Sequence, residues 1–347
     1  VNPAGTATGG GTGAADPRDG GIPARYWEAA VGYLRDLPAG AEVLLVCHVN
    51  PDGDALGSML GVGLGLRRLG IPVRATFPAP YTLTPPFDTL PGVDLLGDPA
   101  QAPAAPDLLL CFDAASEGRL GELADRLVTA GASVVLDHHA SNPGFGTVPL
   151  VDPGAAATAV VAARLLERLG VPLDAQIAEC LYVALSTDTG SFKFDLTTPA
   201  VHELAARLLG TGIRPAEIAR RLFDARPFGA MKLYGDVLAR ATLEPEAARG
   251  AGLVWSYATT ADLDRYAQGR HVLEGLIDAV RVAEEADVAC VLKQVVPGQW
   301  NVSLRSKGAV DVARVAVDLG GGGHRLAAGC TVPGDLATAI GVIRAAL

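Results

Sequence analysis

Aspartate and histidine are concentrated in four short islands of this chain. They are His48-Val-Asn-Pro-Asp52-Gly-Asp54, Cys111-Phe112-Asp113, Asp137-His138-His139 and Ser186-Thr187-Asp188-Thr189-Gly190. Carboxylates gathered at one place repel each other and resist ionisation, and divalent cations placed among them remove that conflict. The pattern His-x3-Asp-x-Asp can supply ligands to two neighbouring ions, with Gly53 permitting a tight backbone path. Of the adjacent histidines, one imidazole can ligate a metal and the other can face substrate, while Asp137 can orient a ring nitrogen. Each island also has a plainer reading. Asp-Gly is a common turn, Asp113 suits a helix N-cap, and Thr-Asp-Thr-Gly reads as a helix C-terminal turn. Taken jointly, the islands point to a two-metal hydrolase. Mixed imidazole and carboxylate donors suit Mn²⁺ better than Mg²⁺ or Zn²⁺.

The elements that must position these residues follow from the apolar pattern. Three islands directly follow the runs Val43–Val46, Leu108–Leu110 and Val134–Leu136, which read as buried strands of a parallel sheet. Ligands of such sheets sit beyond the carboxyl ends of the strands. Helices are expected at Pro23–Leu37, Ala55–Leu69, Gly118–Ala130, Ala156–Leu169, Asp174–Leu185, Pro199–Leu209 and Pro215–Phe223. Asp188 then falls just beyond a helix end, and Gly57, Gly61, Gly63 and Gly65 let their helix approach the sheet. The fold class is α/β, a doubly wound, mostly parallel sheet followed by a smaller α/β domain. In that second domain strands are expected at Gly252–Tyr257, Val288–Val295 and Trp300–Leu304. Helices are expected at Gly269–Val282 and Asp311–Val317, before a Gly-rich turn. The expected domains are a flexible tail over 1–22, a catalytic domain over 23–225 and a substrate-binding domain over 226–347, with the active site in the cleft between the two domains.

Composition narrows the partners. A net charge of −10 argues against a long grip on duplex nucleic acid, which needs a broad basic surface. Cys47, Cys111, Cys180, Cys290 and Cys330 are odd in number and lie mostly in apolar segments, so they read as reduced core residues of a cytoplasmic protein. No stretch is long and apolar enough to span a bilayer, and no membrane partner is expected.

The ordered set His48-x3-Asp52-x-Asp54, Asp113, Asp137-His138-His139 and Asp188 resembles the DHH phosphoesterase superfamily. Gly320-Gly-Gly-Gly323-His324-Arg325-Leu-Ala-Ala-Gly329 resembles the glycine-rich loop of the DHH-associated C-terminal domain. The combination is most similar to the nanoRNase/pAp-phosphatase subfamily. That resemblance implies hydrolysis of very short RNA such as pApA, removal of the 3′-phosphate of pAp, and in some members action on cyclic dinucleotides such as cyclic di-AMP. It implies two Mn²⁺ ions, with Mg²⁺ or Co²⁺ as substitutes, and a homodimer. His48, Asp52 and Asp113 then resemble the ligands of one ion. Asp54, Asp113, His138 and Asp188 resemble those of the other, with Asp113 bridging and His139 facing the phosphate. Relatives usually carry Asp-Val-Asn before the glycine loop, where this chain has Asp311-Val312-Ala313, which bears on substrate preference.

Two cations can activate water and hold phosphoryl oxygens for in-line attack. His139 can stabilise developing charge or protonate the leaving alkoxide, making His139 and Asp113 the candidate catalytic residues. Substrate contacts are expected from Arg305 and Ser306 at a strand end and from Gly321, Gly322, Gly323 and His324 in the glycine loop. A solvated strand-end charge is the plainer reading of Arg305, and a structural loop residue that of His324. The rival functions are an inorganic pyrophosphatase with the same metal islands, a processive single-strand exonuclease, and a metal-dependent nucleotide sensor without turnover.

Overall fold

Strands β1 (Val43–Cys47), β3 (Leu108–Phe112) and β4 (Ala132–Asp137) are buried along their whole length, as apolar runs covered on both faces must be. The computed structural model describes residues 19–83 and 85–347. These fall into two compact units, residues 19–83 with Phe87–Pro215 in the first and residues 85–86 with Ala216–Leu347 in the second. With β2 (Val73–Thr76) and β5 (Val148–Val151) the first unit forms a five-stranded, fully parallel sheet of order β2-β1-β3-β4-β5. The order reverses between β1 and β3, the switch point where a doubly wound sheet opens a crevice for ligands. β5 was not expected from sequence, because Pro149 interrupts its apolar run; an edge strand tolerates it.

One face of this sheet is covered by α2 (Gly53–Arg68), followed by α4 (Thr158–Leu169) and α5 (Ala175–Asp188), which pack on α2. On the other face Leu44, Val46, Leu109, Cys111 and Val135 pack with Leu120 and Leu123. The expected helix over Gly118–Ala130 is instead a 3₁₀ segment, Glu117–Leu123, and a single turn α3 (Arg126–Thr129). Gly121 breaks it with φ 51° and ψ −132°. The glycines of α2 serve mainly helix packing rather than the sheet. A Cβ on Gly57 would lie 2.4 Å from the Cys180 carbonyl oxygen in α5, and one on Gly65 would lie 2.3 Å from Leu166 in α4. Only Gly63, facing Leu45, does what was expected. Helix α1 (Ala24–Arg35) buries Trp27, Ala30 and Leu34 and packs on β5 and α4, and α6 (Pro199–Leu209) packs on α5.

Residues 1–18 of the expected tail lie outside the described residues. Its last four do not behave as a tail: Asp19 and Ile22 are buried, and Asp19 takes hydrogen bonds from Arg164 at 3.1 Å and Arg168 at 2.7 Å.

After α7 (Pro215–Ala219), which ends in a π-helical turn at Arg220–Asp224, the expected domain boundary falls in the extended residues before α8 (Phe228–Ala239). The second unit holds a six-stranded mixed sheet. In spatial order it runs β10 (Gly322–His324), β11 (Ala327–Pro333), β9 (Gln299–Ser306), β8 (Val288–Val296), β7 (Leu253–Ala258) and β6 (Thr242–Glu244). A one-turn α9 (Ala247–Gly250) and α10 (Thr260–Arg265) flank β7. The alternation of β8 sends Val288, Cys290 and Leu292 into a core with Val312, Val315 and Ile340, from α12 (Val312–Asp318) and α13 (Leu336–Ala346). It sends Ala289 and Val291 into a second core with α8 and α11 (Leu276–Val280). The helix expected at Gly269–Val282 is broken into a 3₁₀ turn, Arg270–Leu273, and α11. The Gly-rich segment is a hairpin strand rather than only a turn.

Candidate metal centre

The three islands that follow strands emerge side by side, because β1, β3 and β4 are adjacent and parallel. β1 ends at Cys47, so the chain turns at once through His48 into the N-terminus of α2. There Asp52 is the N-cap, its Oδ1 accepting from the amides of Asp54 at 3.1 Å and Ala55 at 3.0 Å. β3 ends one residue before Asp113, which takes a left-handed φ of 56°, a conformation Asp tolerates better than most residues. Asp137 closes β4 and is followed by both histidines. The fourth contributor, Asp188, is the last residue of α5 and not a residue beyond it. The helix ends there because Thr189 turns its hydroxyl onto the Leu185 carbonyl at 2.7 Å while Gly190 and Ser191 take φ values of 57° and 61°.

The donor atoms converge in two groups that share one residue. His48, Asp52 and Asp113 each offer an atom within 4.8 Å of the others, and so do Asp54, Asp113 and His138. His48 Nε2 lies 3.8 Å from Asp52 Oδ1 and 3.4 Å from Asp113 Oδ2. His138 Nε2 lies 3.1 Å from Asp188 Oδ2, 3.7 Å from Asp113 Oδ1 and 3.8 Å from Asp54 Oδ2. The structure therefore brings His48, Asp52, Asp54, Asp113, His138 and Asp188 together, with Asp113 between the groups.

The surrounding hydrogen bonds fix which ring nitrogen is turned inward. His138 Nδ1 lies 3.1 Å from the Ala155 carbonyl oxygen, which can only accept, so Nδ1 carries a proton and Nε2 is the nitrogen turned toward the carboxylates. His139 Nδ1 is bonded to Asp137 Oδ1 at 2.7 Å, and Asn142 donates to Asp137 Oδ2 at 2.6 Å and to the Ala114 carbonyl at 3.1 Å. Asp137, Asp113 and His139 form a third close group, in which Asp137 anchors His139 through Oδ1 and is itself held by Asn142 through Oδ2.

Two residues that sequence reasoning missed complete the frame. Helix α4 begins after Ala157, which has no side chain to cap it. Asp54 fills that role from α2, accepting the Thr158 amide at 2.6 Å and the Ala159 amide at 3.1 Å, together with the Ser58 hydroxyl at 3.0 Å. The Thr158 hydroxyl in turn donates to Asp113 Oδ1 at 2.9 Å. The missing cap before an apolar helix was the available signal, since the free amides of a helix start need some acceptor. Asn142 carried no comparable signal.

Electrostatics agree with a cation site. Burial, followed by repulsion from Asp113 and Asp188, pushes the Asp54 carboxyl well above its usual range, and burial with Asp113 and Asp52 does the same to Asp188. Burial also works against ionised Asp113, but His48, His138 and His139 outweigh it and hold that carboxyl well below the usual range. Burial likewise opposes the charged form of His48, yet Asp113 and Asp52 raise it to about 10. The cluster thus borrows protons to settle its own repulsion, which is what divalent cations with these same donors would replace. Three donors per group, imidazole and carboxylate together, fit a pair of divalent ions. The nearby Cys47 and Cys111 thiols are pushed up by burial and stay neutral core residues.

The remaining expected residues lie in the second unit. Ser306 is buried and uses its hydroxyl internally, donating to Asp287 Oδ2 at 2.7 Å and accepting from the Gly308 amide at 2.9 Å. Asp287 also takes the amides of Ala309 and Val310, so the Ser306 hydroxyl is engaged in organising this loop. Arg305 is half-buried, with Nη1 donating to the Leu304 carbonyl at 3.0 Å. A Cβ on Gly321 would lie 2.1 Å from the Gly329 carbonyl oxygen, and one on Gly323 would lie 2.5 Å from that of Ala327. Pairing within the hairpin therefore demands both glycines. Gly322, by contrast, faces open space, and His324 is half-buried opposite Ala327.

Comparison with known proteins agrees with this geometry. Residues 42–185 match the DHH family N-terminal domain and residues 267–347 match the DHHA1 domain. The chain is 35% identical to the bifunctional oligoribonuclease and PAP phosphatase NrnA of Thermus thermophilus, over 91% of this chain and 92% of that protein. It is 26% identical to the protein of the same name from Bacillus subtilis, over 86% and 92%. Among solved structures, an exopolyphosphatase-related protein from Bacteroides fragilis superposes with a TM-score of 0.83 at 23% identity, covering 94% of this chain and 96% of that one. RecJ from Thermus thermophilus in complex with Mn²⁺ gives a TM-score of 0.51 at 17% identity, over 92% of this chain and 54% of that one. This chain belongs to the DHH family of phosphoesterases, in its NrnA-like branch with a C-terminal DHHA1 domain.

Proposed function

We propose that this protein hydrolyses short oligoribonucleotides of the pApA type and the 3′-phosphate of pAp, using two divalent cations of which Mn²⁺ is the native pair. Cyclic di-AMP is included as a substrate of the same site. The observation that carries this reading is the pair of donor groups hinged on Asp113. His48, Asp52 and Asp113 would hold one ion, and Asp54, Asp113, His138 and Asp188 the other. Such ions supply Lewis acidity toward phosphoryl oxygens and toward water.

The protein's own residues do the rest. Asp137 holds the proton on His139 Nδ1, so that Nε2 is the atom available to a phosphoryl oxygen or a departing alkoxide. His139 is more exposed than the ligand His138, with side-chain exposures of 18% and 3%, as a residue meeting substrate must be. Replacing His139 by alanine lowers kcat by about 10²–10⁴ while the protein still binds two Mn²⁺; equal loss of both would refute the role. The net charge of −10 supports short substrates over duplex RNA or DNA. The five cysteines, all buried, support a reducing compartment, the cytoplasm.

The test is a parallel assay in Mn²⁺ with pApA, pAp, cyclic di-AMP and pyrophosphate. Cleavage of pApA and pAp, abolished in Asp113→Ala, is the expected result. Hydrolysis of pyrophosphate alone, or tight nucleotide binding with no product, overturns the reading.

A further inference from the structure

The turn over 152–157, between β5 and α4, contains none of the six converging side chains, yet three of them lean on it. Its Ala155 carbonyl accepts from His138 Nδ1 at 3.1 Å. Where it enters α4, the Thr158 amide donates to Asp54 Oδ2 at 2.6 Å and the Thr158 hydroxyl to Asp113 Oδ1 at 2.9 Å. Asp152 organises the turn. Its amide donates to the Asp137 carbonyl at 3.0 Å, and its own carbonyl accepts the Ala155 amide at 3.0 Å. Its Oδ1 accepts the Gly154 amide at 2.9 Å, so displacing this side chain displaces the segment that orients His138.

Residues far upstream press on that same carboxylate. Gly20 takes a left-handed φ of 61°, and a Cβ there would lie 1.8 Å from Asp152 Oδ2. Only a glycine backbone comes so near. The preceding Asp19 is buried and anchored on α4, accepting from Arg164 Nε at 3.1 Å and from Arg168 Nη2 at 2.7 Å. Arg168 is itself held over the buried Trp27, its guanidinium carbon 5.1 Å from the ring centroid. A buried carboxylate paired with two guanidiniums resists separation, because a lone buried charge is costly. Asp19 thus grips the body of α4, and Gly20 grips the turn that leads into it. We propose that Asp19-Gly20 is a positioning strap for the metal centre, holding the 152–157 turn where it presents Ala155 to His138 and Thr158 to Asp54 and Asp113. The inference rests on the two-cation reading above.

The experiment compares variants of the full chain by calorimetric titration with Mn²⁺. Gly20→Ala drives a methyl group into the Asp152 carboxylate. Gly21→Ala is the control: φ there is 78°, so the backbone penalty is matched, but nothing lies within 4 Å of the added methyl. Asp152→Ala removes the atoms that Gly20 touches, and a double variant combines it with Gly20→Ala. Gly20→Ala is expected to lower Mn²⁺ affinity about tenfold, the lower end of what losing an outer-shell partner does, with Gly21→Ala within about twofold of the wild type. In the Asp152→Ala background, Gly20→Ala should add no more than about twofold, because its coupling partner is gone. Equal affinity in Gly20→Ala and Gly21→Ala overturns the proposal, whether the turn kept its place or the strap let go. So does a loss of the same size in the Asp152→Ala background, since Gly20 would then act elsewhere. If Gly20→Ala is too unstable to titrate, Asp19→Asn loosens the other end, and unchanged Mn²⁺ affinity there is the overturning result. If the wild type cleaves nothing in the substrate panel while Mn²⁺ affinity still depends on Gly20, the hydrolase reading fails and this one stands.

Discussion

Sharing of Asp113 between the two donor groups makes a stoichiometric prediction that an unshared pair of sites would not obey. Asp113→Asn removes charge from both groups at once, whereas Asp52→Asn touches only the group containing His48. Asn is a good helix N-cap, so Asp52→Asn leaves the start of α2 intact and isolates the effect on the ion. Calorimetric titration with Mn²⁺ should give two ions for the wild type, one for Asp52→Asn and none for Asp113→Asn. Thermal unfolding gives the same answer in a second quantity. Free ligand at 100 times Kd stabilises the native state by about 2.7 kcal/mol per site. In a unit of this size each kcal/mol moves Tm by ~2–4 °C, so each site contributes roughly 5–11 °C. The expected Mn²⁺-induced rise is therefore largest in the wild type, about half in Asp52→Asn and near zero in Asp113→Asn. One ion retained at wild-type affinity in Asp113→Asn would refute the bridging arrangement.

Three further outcomes follow from the same geometry. Thr158→Val removes the hydroxyl on Asp113 but keeps the amides that Asp54 accepts; Mn²⁺ affinity should fall about 10- to 100-fold by calorimetry, with helix content unchanged by circular dichroism. In chelator, the His48–Asp113 pair has a raised His pKa of about 10 and a lowered Asp pKa. Its stabilisation is therefore complete below the unfolded His value of 6.5 and above the unfolded Asp value of 3.8. It is lost as pH rises through 10 or falls through the depressed Asp113 value, so the pair's contribution to stability is greatest between about pH 4 and 6.5. The raised Asp54 and Asp188 act oppositely: above pH 4 they ionise in the unfolded chain while the native protein still holds their protons, which weakens the chelated protein as pH rises toward their raised values, so the Tm gain from Mn²⁺ should grow with pH over that range. Ser306→Ala costs about 1–3 kcal/mol in chemical denaturation by leaving Asp287 short of a donor, and KM for pApA stays unchanged.

The ligand islands and the strands that carry them were legible because both signals are local. A run such as Leu108–Leu110 announces a buried strand by its own composition, and parallel strands that end together deliver their next residues to one edge. That His48, Asp113 and His138 would meet could thus be read before any coordinate was known. What the chain alone did not disclose was every feature set by partners distant in sequence. Asp54 caps a helix more than a hundred residues away, Thr158 orients the shared carboxylate, and Arg119 reaches the buried face of His48, each through a hydrogen bond no periodicity encodes. Glycine meaning was likewise tertiary: Gly57 and Gly65 admit neighbouring helices, and Gly321 and Gly323 admit a hairpin partner, where sequence could say only that something comes close. Ser306 shows the limit most sharply. Beside an arginine at a strand end it resembles a ligand contact, and only the approach of Asp287 across the sheet decides that its hydroxyl is already used. Residue type and spacing set which chemistry is available; the packing of remote segments decides which groups stay free to perform it.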